Sequence, residues 1–444
     1  MNPPEEEDIR EVGRELAAGL APRSRGLRAV DDRALDLAAH NAALRAALFR
    51  FVDVVPACRS FDDLAAHLVG YLDGVEERPV PIDVALKMGD TRAGRAALGS
   101  AAVAGVRHVA HRFIVAEGPR EAQKTLSSLW RDGVATSLDL LGEATVTASE
   151  ADRYAARCAD ALRVLADLYE RLPAQPALER DSLGPIAQAN LSVKVSALTP
   201  LLHPEAPEVG ERDAEPRLLE LLREARALRA HLHVDMESFD TCEQVTDLVL
   251  SLLSREEFRD GPSVGIVLQA YLRDSGELCE RVLSWARSAG RTQPLVIRLV
   301  KGAYWDHEVV QARQQGWSAP VFEEKAECDR NFEALTLTLL EGRPLVRPAI
   351  ASHNLRSVAH AIAANRSTGA ADGELEFQVL RGLGDELSSA LVRAGQRVRA
   401  YCPVGDLVAG MAYLVRRLLE NTSNESFLVE QAGGRPLEEL LAAP

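Results

Sequence analysis

Short apolar runs alternate with longer helical patterns over most of the chain. Runs rich in β-branched residues predict strands, and apolar residues recurring every three or four positions predict helices. Eight strand–helix units fit within about 300 residues, which is the number expected for a (βα)8 TIM-type barrel. The predicted strands are Gly133–Leu141, Leu191–Leu198, His231–Ser238, Val264–Tyr271, Leu295–Gly302, Ala349–His353, Leu375–Gly382 and Arg397–Val404.

Helical patterns follow most of these strands and also fill the start of the chain. The first 115 residues carry leucine- and alanine-rich segments at helical spacing, with no cluster of polar residues, and they predict an all-helical arm. We therefore expect an arm over residues 1–115, a barrel over 116–430 and a tail over 431–444. The predicted helices are Ala34–Ala47, Phe61–Leu72, Gly94–Ala110, Pro216–Ala230, Gln244–Phe258, Gly276–Ala289, Ala326–Leu340, Ser357–Ala364 and Asp385–Ala394.

Composition narrows the class of protein. Hydrophobic residues make up 47% of the 444 residues, and the formal net charge is −15. An acidic globular chain of this kind argues against a nucleic-acid partner. The acidic N-terminus has no apolar signal region, and no stretch approaches 18 uninterrupted apolar residues, so we expect a cytoplasmic protein without a membrane span.

The six cysteines predict neither disulfides nor a metal site. They lie far apart in sequence, without a CxxC pair, and are interpreted as free thiols. His231 and His233 lie on one face of a predicted strand without the further ligands that a metal needs. We therefore expect no metal.

Polar residues collect at the carboxyl ends of the predicted strands, where a barrel of this type holds its ligands. Any one of them could be a capping or ion-paired residue, but burying so many charges on one rim without a ligand would be costly. No GxGxxG, P-loop or Gly-x-Ser-x-Gly motif accompanies them. The strand-end residues are Asp139, Glu143, Lys194, Ser196, Asp235, Glu237, Gln269, Tyr271, Arg298, Lys301, Tyr304, Trp305, His353, Asn354, Gln378, Arg381 and Tyr401.

A helix predicted to begin near Asp406 carries two adjacent arginines. Its apolar residues form one stripe, and Arg416, Arg417 and Glu420 fall on the opposite face. A solvated surface with an Arg416/Glu420 pair explains this face without any function. Two guanidinium groups also match a bidentate clamp for a carboxylate, which is how a small amino acid could be oriented.

The chain resembles the flavin-dependent proline dehydrogenase family and, within it, the dehydrogenase portion of the bifunctional proline utilisation A proteins. The resemblance covers residues 130–430 and, more loosely, the helical arm through Ala47–Asp53. Nine strings in the family's order carry it: Asp139–Ala144, Ser192–Leu198, Val234–Glu237, Gln269–Tyr271, Arg298–Trp305, Ser352–Asn354, Glu376–Leu380, Tyr401–Gly405 and Tyr413–Asn421.

The resemblance implies a distorted (βα)8 barrel that holds FAD non-covalently. It implies oxidation of L-proline to Δ1-pyrroline-5-carboxylate, with a hydride passing to flavin N5 and electrons then to a quinone. Since long-chain quinones are membrane-bound, it also implies peripheral contact with the inner face of the membrane, through an apolar or basic patch.

The family's site residues carry over to matching positions. On the substrate side the resemblance implies that Arg416 and Arg417 bind the carboxylate, that Lys194 and Asp235 line the pocket, that Tyr401 packs on the proline ring and that Glu143 pairs with an arginine as part of a gate. The cofactor side comprises Gln269, Arg298, Lys301, Gly302, Ala303, Trp305, Ser352, His353 and Glu420.

Other functions remain open from sequence. The same chemistry could act on another cyclic imino acid such as 4-hydroxyproline, although a bulky Tyr401 should crowd a ring hydroxyl. A barrel that binds a ligand without catalysis is the alternative from another class. Bifunctional members continue into an aldehyde dehydrogenase domain, so this chain is expected either to use a separate pyrroline-5-carboxylate dehydrogenase or to be part of a longer protein.

Overall fold

A computed structural model of the chain describes residues 1–20, 41–75, 83, 87, 91–142, 145–406, 410, 413 and 435–444. Within these ranges the strands are β1 (Val134–Leu140), β2 (Arg180–Asp181), β3 (Gly184–Pro185), β4 (Asn190–Lys194), β5 (His231–Asp235), β6 (Ser263–Gln269), β7 (Leu295–Val300), β8 (Val346–Ala351), β9 (Glu376–Leu380) and β10 (Arg397–Val404). Eight of them pair in parallel as a closed barrel, in the order β1-β4-β5-β6-β7-β8-β9-β10. The predicted (βα)8 barrel is confirmed.

Helices surround the barrel and fill the N-terminal region. They cover the outer face of the sheet, so that every residue of β1 is buried, as expected for parallel strands enclosed on both faces. The described helices of four or more residues are α1 (Glu6–Gly19), α2 (Ala42–Val54), α3 (Phe61–Asp73), α4 (Arg92–Phe113), α5 (Pro119–Arg131), α6 (Ala148–Glu170), α7 (Pro176–Glu179), α8 (Pro207–Ala227), α9 (Phe239–Leu253), α10 (Ser275–Ser288), α11 (Trp305–Gln315), α12 (Lys325–Glu341), α13 (Leu355–Ser367), α14 (Asp385–Arg393) and α15 (Leu437–Leu440).

Helix boundaries follow local chemistry in some places and tertiary packing in others. Thr147 and Glu150 form a reciprocal capping box at the start of α6, which satisfies two backbone donors of the first turn. The predicted start of a helix at Pro216 is wrong, because α8 begins at Pro207 and continues through Pro216. Burial of Leu218, Leu221, Leu222 and Ala225 outweighs the cost of an internal proline.

The helical arm packs in two places. Helices α2, α3 and α4 share a hydrophobic cluster that includes Phe51, Leu64 and Phe113 and that reaches Leu141 at the end of β1. Helix α1 packs against α13 and α14 instead, and its Ile9, Val12 and Leu16 join the main core of the barrel. The arm therefore contacts both the rim and the outer helical layer.

Charged pairs occupy the interior of the barrel at the amino ends of the strands. Arg399 binds both carboxylate oxygens of Glu376, at 2.9 and 3.0 Å. The β2–β3 hairpin supplies Asp181, which accepts hydrogen bonds from Arg347 at 2.8 and 2.9 Å and from Arg397 at 3.1 Å. This end of the barrel is closed by paired charges rather than by an apolar layer.

Candidate active site

A cavity of about 280 Å³ lies at the carboxyl ends of the barrel strands; we call it the rim cavity. This volume is near the lower end of the range for small-molecule sites. Its wall brings together residues from all eight barrel strands or the loops that follow them. The predicted site residues in its wall are Lys194, Asp235, Gln269, Arg298, Lys301, Gly302, Ala303, Ser352, His353 and Tyr401.

Four charged side chains form a balanced group on one side of the rim cavity. The Lys194 ammonium lies 2.7 Å from Asp139 Oδ1 and 3.3 Å from Asp235 Oδ2. The Arg298 Nη1 lies 2.6 Å from Asp235 Oδ1. Two positive and two negative charges thus neutralise one another, which explains how these side chains tolerate burial without a ligand.

The charges of Lys194 and Asp235 are stable around neutral pH. Burial alone would lower the pKa of Lys194, but Asp139 and Asp235 raise it well above its usual range. Burial would raise the pKa of Asp235, yet Lys194, Arg298 and a hydrogen bond from Tyr401 bring it below its usual range. The site therefore presents a fixed ammonium and a fixed carboxylate to whatever binds there.

Tyr401 is held in place from two sides. Its hydroxyl donates a 2.6 Å hydrogen bond to Asp235 Oδ2, and the Arg298 guanidinium lies 5.2 Å from the centre of its ring. Burial raises the pKa of the phenol well above its usual range, and Asp139 and Asp235 raise it further. The tyrosine is therefore neutral and presents an aromatic wall to the cavity.

Arg298 also connects the rim cavity to the interior of the barrel. Its Nε donates to Gln378 Oε1 at 2.6 Å, and Gln378 Nε2 donates to Glu376 Oε1 at 2.7 Å. Glu376 is the carboxylate bound by Arg399. Hydrogen bonds thus run without a break from Asp235 to the charged pairs at the other end, which fixes the orientation of the Arg298 guanidinium.

The part of the wall formed by β6 and the loop after β7 offers backbone and polar groups. Gln269 donates through Nε2 to Glu237 O at 2.9 Å, while its buried Oε1 has no hydrogen-bond partner within the part of the chain that the structure describes. Gly302 has a φ of +137°, and a Cβ there would lie 2.5 Å from the Tyr271 ring. Only glycine fits this backbone position.

A histidine and a lysine complete that wall. His353 Nε2 accepts the backbone N–H of Leu380 at 3.0 Å, so in the neutral ring the proton lies on Nδ1. The Lys301 ammonium pairs with Asp329 and lies 5.9 Å from the centre of the Phe332 ring. His353 is thus anchored within the cavity wall, which includes Leu380, whereas Asp329 and Phe332 hold Lys301 from outside it.

The remaining predicted site residues lie elsewhere. Trp305 begins α11, keeps 39% of its surface exposed and donates its indole N–H to Phe322 O at 2.9 Å; it is not part of the cavity wall. Glu143, Arg416, Arg417 and Glu420 lie outside the described residues. Their roles, like those of the other site residues, stay predictions.

Two further residues in the cavity wall have no role assigned from sequence. Asp139 pairs with Lys194, and Gln378 accepts from Arg298. Both are among the strand-end residues predicted from sequence, but their partners are not. The period of two along a strand is the signal that could pair Gln378 with Glu376, because the two must share a face. The pairing of Asp139 with Lys194, 55 residues away, leaves no local pattern.

The arrangement is suited to a small zwitterion. A carboxylate and an ammonium lie close together beside an aromatic ring, and the buried Gln269 Oε1, which has no hydrogen-bond partner among the described residues, lies in the wall of the same cavity. None of the helices in the described part of the chain is long and apolar enough to cross a membrane.

Comparison with known proteins decides the family. The family profile described as "Proline dehydrogenase" matches residues 122–430, and that of "Proline utilization A N-terminal domain" matches residues 6–113. The chain belongs to the proline dehydrogenase family. The Klebsiella aerogenes bifunctional protein PutA is 31% identical over 347 residues, which cover 76% of this chain and 25% of that protein.

Other relatives agree with this family. Bovine hydroxyproline dehydrogenase is 35% identical over 216 residues, 47% of this chain and 46% of that protein. The crystal structure of proline utilization A from Bdellovibrio bacteriovorus inactivated by N-propargylglycine superposes with a TM-score of 0.89 and 33% identity, covering 99% of this chain and 44% of that one. The chain thus spans from a quarter to somewhat under half of the length of these relatives.

Proposed function

We propose that this member of the proline dehydrogenase family oxidises L-proline to Δ1-pyrroline-5-carboxylate with FAD as cofactor and passes the electrons to a quinone. The convergence of Lys194, Asp235, Arg298 and Tyr401 on one rim cavity carries the proposal. The family's name and motifs indicate the reaction, and the rim cavity is the proposed binding site for its substrate. The division into an arm (1–115), a barrel (116–430) and a tail is part of the same proposal.

The chain's own residues bind and orient the substrate. Lys194 attracts a carboxylate, and Asp235 attracts a protonated ring nitrogen, while the Tyr401 ring packs against an apolar ring. Because Lys194 and Arg298 hold the pKa of Asp235 low, this carboxylate is a poor proton acceptor, and we assign it to positioning. Arg416 and Arg417 are predicted to complete the binding of the carboxylate.

The wall opposite Tyr401 fits FAD. The buried Gln269 Oε1 has no partner among the residues the structure describes and would be available to an N–H donor of the cofactor, and the backbone at Gly302 leaves no room for a side chain. Arg298 would supply a positive charge beside the cofactor ring. When bound, FAD accepts the hydride at N5. Lys301, Ala303, Ser352 and His353 would hold other parts of the cofactor.

Absorbance and turnover test the proposal together. The purified chain, reconstituted with FAD, should show flavin absorbance bands that bleach when L-proline is added without an acceptor. It should also reduce a water-soluble quinone analogue in the presence of proline. Absence of flavin bands after reconstitution would favour a barrel that binds a ligand without catalysis.

A second substrate deserves a direct comparison, because bovine hydroxyproline dehydrogenase is among the relatives. The hydroxyl of Tyr401 is committed to Asp235, so its ring cannot swing away to admit a ring hydroxyl without breaking that bond. We expect higher kcat/KM for L-proline than for 4-hydroxyproline. Faster turnover of 4-hydroxyproline would overturn the choice of substrate.

Delivery of electrons to a membrane quinone would require peripheral contact with the bilayer. The net charge of −15 opposes binding to anionic lipid, so contact should use a local apolar or basic patch. Vesicle flotation, with and without proline, tests this step. If neither the oxidised nor the reduced enzyme floats while the soluble quinone analogue is still reduced, direct delivery to the membrane is wrong.

A further inference from the structure

Three potential metal ligands converge on the helical arm, away from the rim cavity. Cys58 lies in the link between the 3-10 turn Val55–Ala57 and α3. Asp63 and His67 lie four residues apart on α3, so they share one face of the helix. A thiol, a carboxylate and an imidazole are thus brought to the same corner of the arm by one tight connection.

The ligand atoms are close enough for a single ion. The Cys58 Sγ, a carboxylate oxygen of Asp63 and a ring nitrogen of His67 all lie within 4.8 Å of one another, and His67 Nε2 is 3.6 Å from Asp63 Oδ1. In a tetrahedral zinc site, bonds of about 2.0–2.3 Å place the ligand atoms roughly 3.3–3.8 Å apart. Small side-chain rotations would close the difference.

We propose that Cys58, Asp63 and His67 bind a divalent transition-metal ion such as Zn²⁺. Thiolate sulfur, imidazole nitrogen and carboxylate oxygen are the three donor types that zinc takes from proteins. Three protein ligands leave the fourth tetrahedral position for water or another donor. The proposal is independent of the function proposed for the rim cavity.

The backbone already orients these side chains. The Ser60 Oγ accepts the N–H of Asp63 at 3.1 Å, which caps α3. The N–H of Arg59 donates to Asp63 Oδ2 at 3.1 Å, so Oδ1 is the oxygen that faces His67. Asp63 is therefore held by one oxygen and offers the other.

Weak contacts hold the Cys58 thiol and the His67 ring when no metal is bound. The Cys58 thiol donates to Val54 O at 3.4 Å, and the His67 ring stacks on Tyr71 with centroids 5.9 Å apart. All three ligand residues are only half-buried, so an ion can reach them from solvent. Binding would tie the end of α2 to the first turns of α3.

Cobalt spectroscopy tests the site on the whole chain after removal of metal with a chelator. One equivalent of Co²⁺ should give the visible absorption of a tetrahedral ion together with a thiolate-to-cobalt charge-transfer band in the near ultraviolet, and Zn²⁺ should displace it. The charge-transfer band reports sulfur coordination directly and does not depend on FAD or on enzymatic activity.

Matched variants identify the ligands. Cys58→Ser should abolish the charge-transfer band, and His67→Gln should weaken Co²⁺ binding by at least the roughly 10–100-fold that loss of an outer-shell partner costs. Asp63→Asn, which keeps an acceptor for the Arg59 N–H, should weaken it as well. Cys328→Ser is the control, because Cys328 is also half-buried and should leave the spectrum unchanged.

Two results would overturn the proposal. One is the absence of a charge-transfer band in the wild-type chain at a large excess of Co²⁺. The other is a band that survives in Cys58→Ser or that His67→Gln leaves at full strength and affinity. Circular dichroism of each variant without metal separates loss of binding from loss of fold. If Cys58→Ser misfolds, the Co²⁺ affinity of His67→Gln, at a half-exposed surface position, tests the site instead.

Discussion

Tyr401 and Asp235 are joined by a 2.6 Å hydrogen bond across the mouth of the barrel. Tyr401 belongs to β10 and Asp235 to β5, and β1 and β4 lie between these strands in the barrel. The bond therefore fixes the distance between two walls of the rim cavity. Moving either residue should disturb both the aromatic wall and the fixed carboxylate.

Removal of the Tyr401 hydroxyl should impair the substrate side alone. In Tyr401→Phe the buried Asp235 loses one donor, and we expect a loss of about 1.5–3 kcal/mol in transition-state binding, or roughly 10- to 150-fold in kcat/KM for proline. Steady-state kinetics measures this loss. Flavin content, read from absorbance, is the internal control and should not change; unchanged kcat/KM would mean that the bond does not position the substrate.

Loss of the Lys194 charge should destabilise the fold because it strands Asp139. The Asp139 side chain is 1% exposed, and Lys194 is its only salt-bridge partner among the described residues. We expect Lys194→Met to cost about 3–5 kcal/mol in the free energy of unfolding, measured by urea denaturation.

A double variant distinguishes this explanation from simple loss of packing. Asp139→Asn removes the stranded charge, so Asp139→Asn/Lys194→Met should recover at least roughly half of the lost stability. If the double variant is as unstable as Lys194→Met, or less stable, an unpaired carboxylate is not the cause.

Glu376 should make stability depend on pH in the acid range. Burial raises its pKa, but Arg399 and Arg397 outweigh burial and bring it to about 2. A carboxyl whose pKa is lower in the folded state stabilises the fold above its unfolded pKa of about 4.3 and loses that contribution as the pH falls toward 2. The stability advantage of wild type over Glu376→Gln should therefore be constant above about pH 5 and shrink below it.

Urea denaturation of wild type and Glu376→Gln between pH 7 and pH 2.5 measures how their difference in stability changes with pH. Glu220→Gln serves as the matched control, because Glu220 is exposed on α8 and its one ion pair among the described residues is with Arg223 at the surface; its difference from wild type should stay close to zero throughout. An advantage of wild type over Glu376→Gln that grows toward acid would contradict the assignment.

Gly265 should tolerate no side chain. A Cβ there would lie 2.2 Å from Nδ1 of the buried His233, whose ring is hydrogen-bonded to His231 at 3.1 Å. We expect Gly265→Ala to lower the free energy of unfolding by at least about 1–3 kcal/mol. Gly276→Ala is the control: Gly276 is an exposed residue of α10, a Cβ there meets nothing within 4 Å, and the substitution should stabilise by about 0.5–1 kcal/mol.

The sequence alone predicts those features of the fold and site that depend on neighbouring residues or on family motifs. The barrel strands were predicted because β-branched runs are local, and Lys194, Asp235, Arg298 and Tyr401 stand in motifs of a known family. Pairs such as Arg397 with Asp181, 216 residues apart, leave no local pattern and needed the folded chain. The predicted start of α8 at Pro216 is wrong because packing of the whole helix, which begins at Pro207, carries it through the internal proline.

The convergence of Cys58, Asp63 and His67 shows a different limit of prediction from sequence. These residues lie within ten positions of one another, yet spacing does not give the direction of the turn between Cys58 and α3. The spacing of the cysteines along the chain predicts only isolated thiols. A search for nearby residues of different ligand types would find Cys58 beside the i,i+4 pair of Asp63 and His67 and would indicate a metal site.

The chain of hydrogen bonds from Asp235 through Arg298, Gln378 and Glu376 to Arg399 has an evolutionary consequence. Each residue donates a hydrogen bond to the next one or accepts a hydrogen bond from it. Replacement of a single residue therefore leaves a buried polar group without its partner. Homologous barrels should therefore exchange these residues in compensating pairs, and interior positions should covary even where strands are not adjacent. Laboratory evolution of new specificity would reach the rim cavity more readily through uncharged wall residues than through this chain.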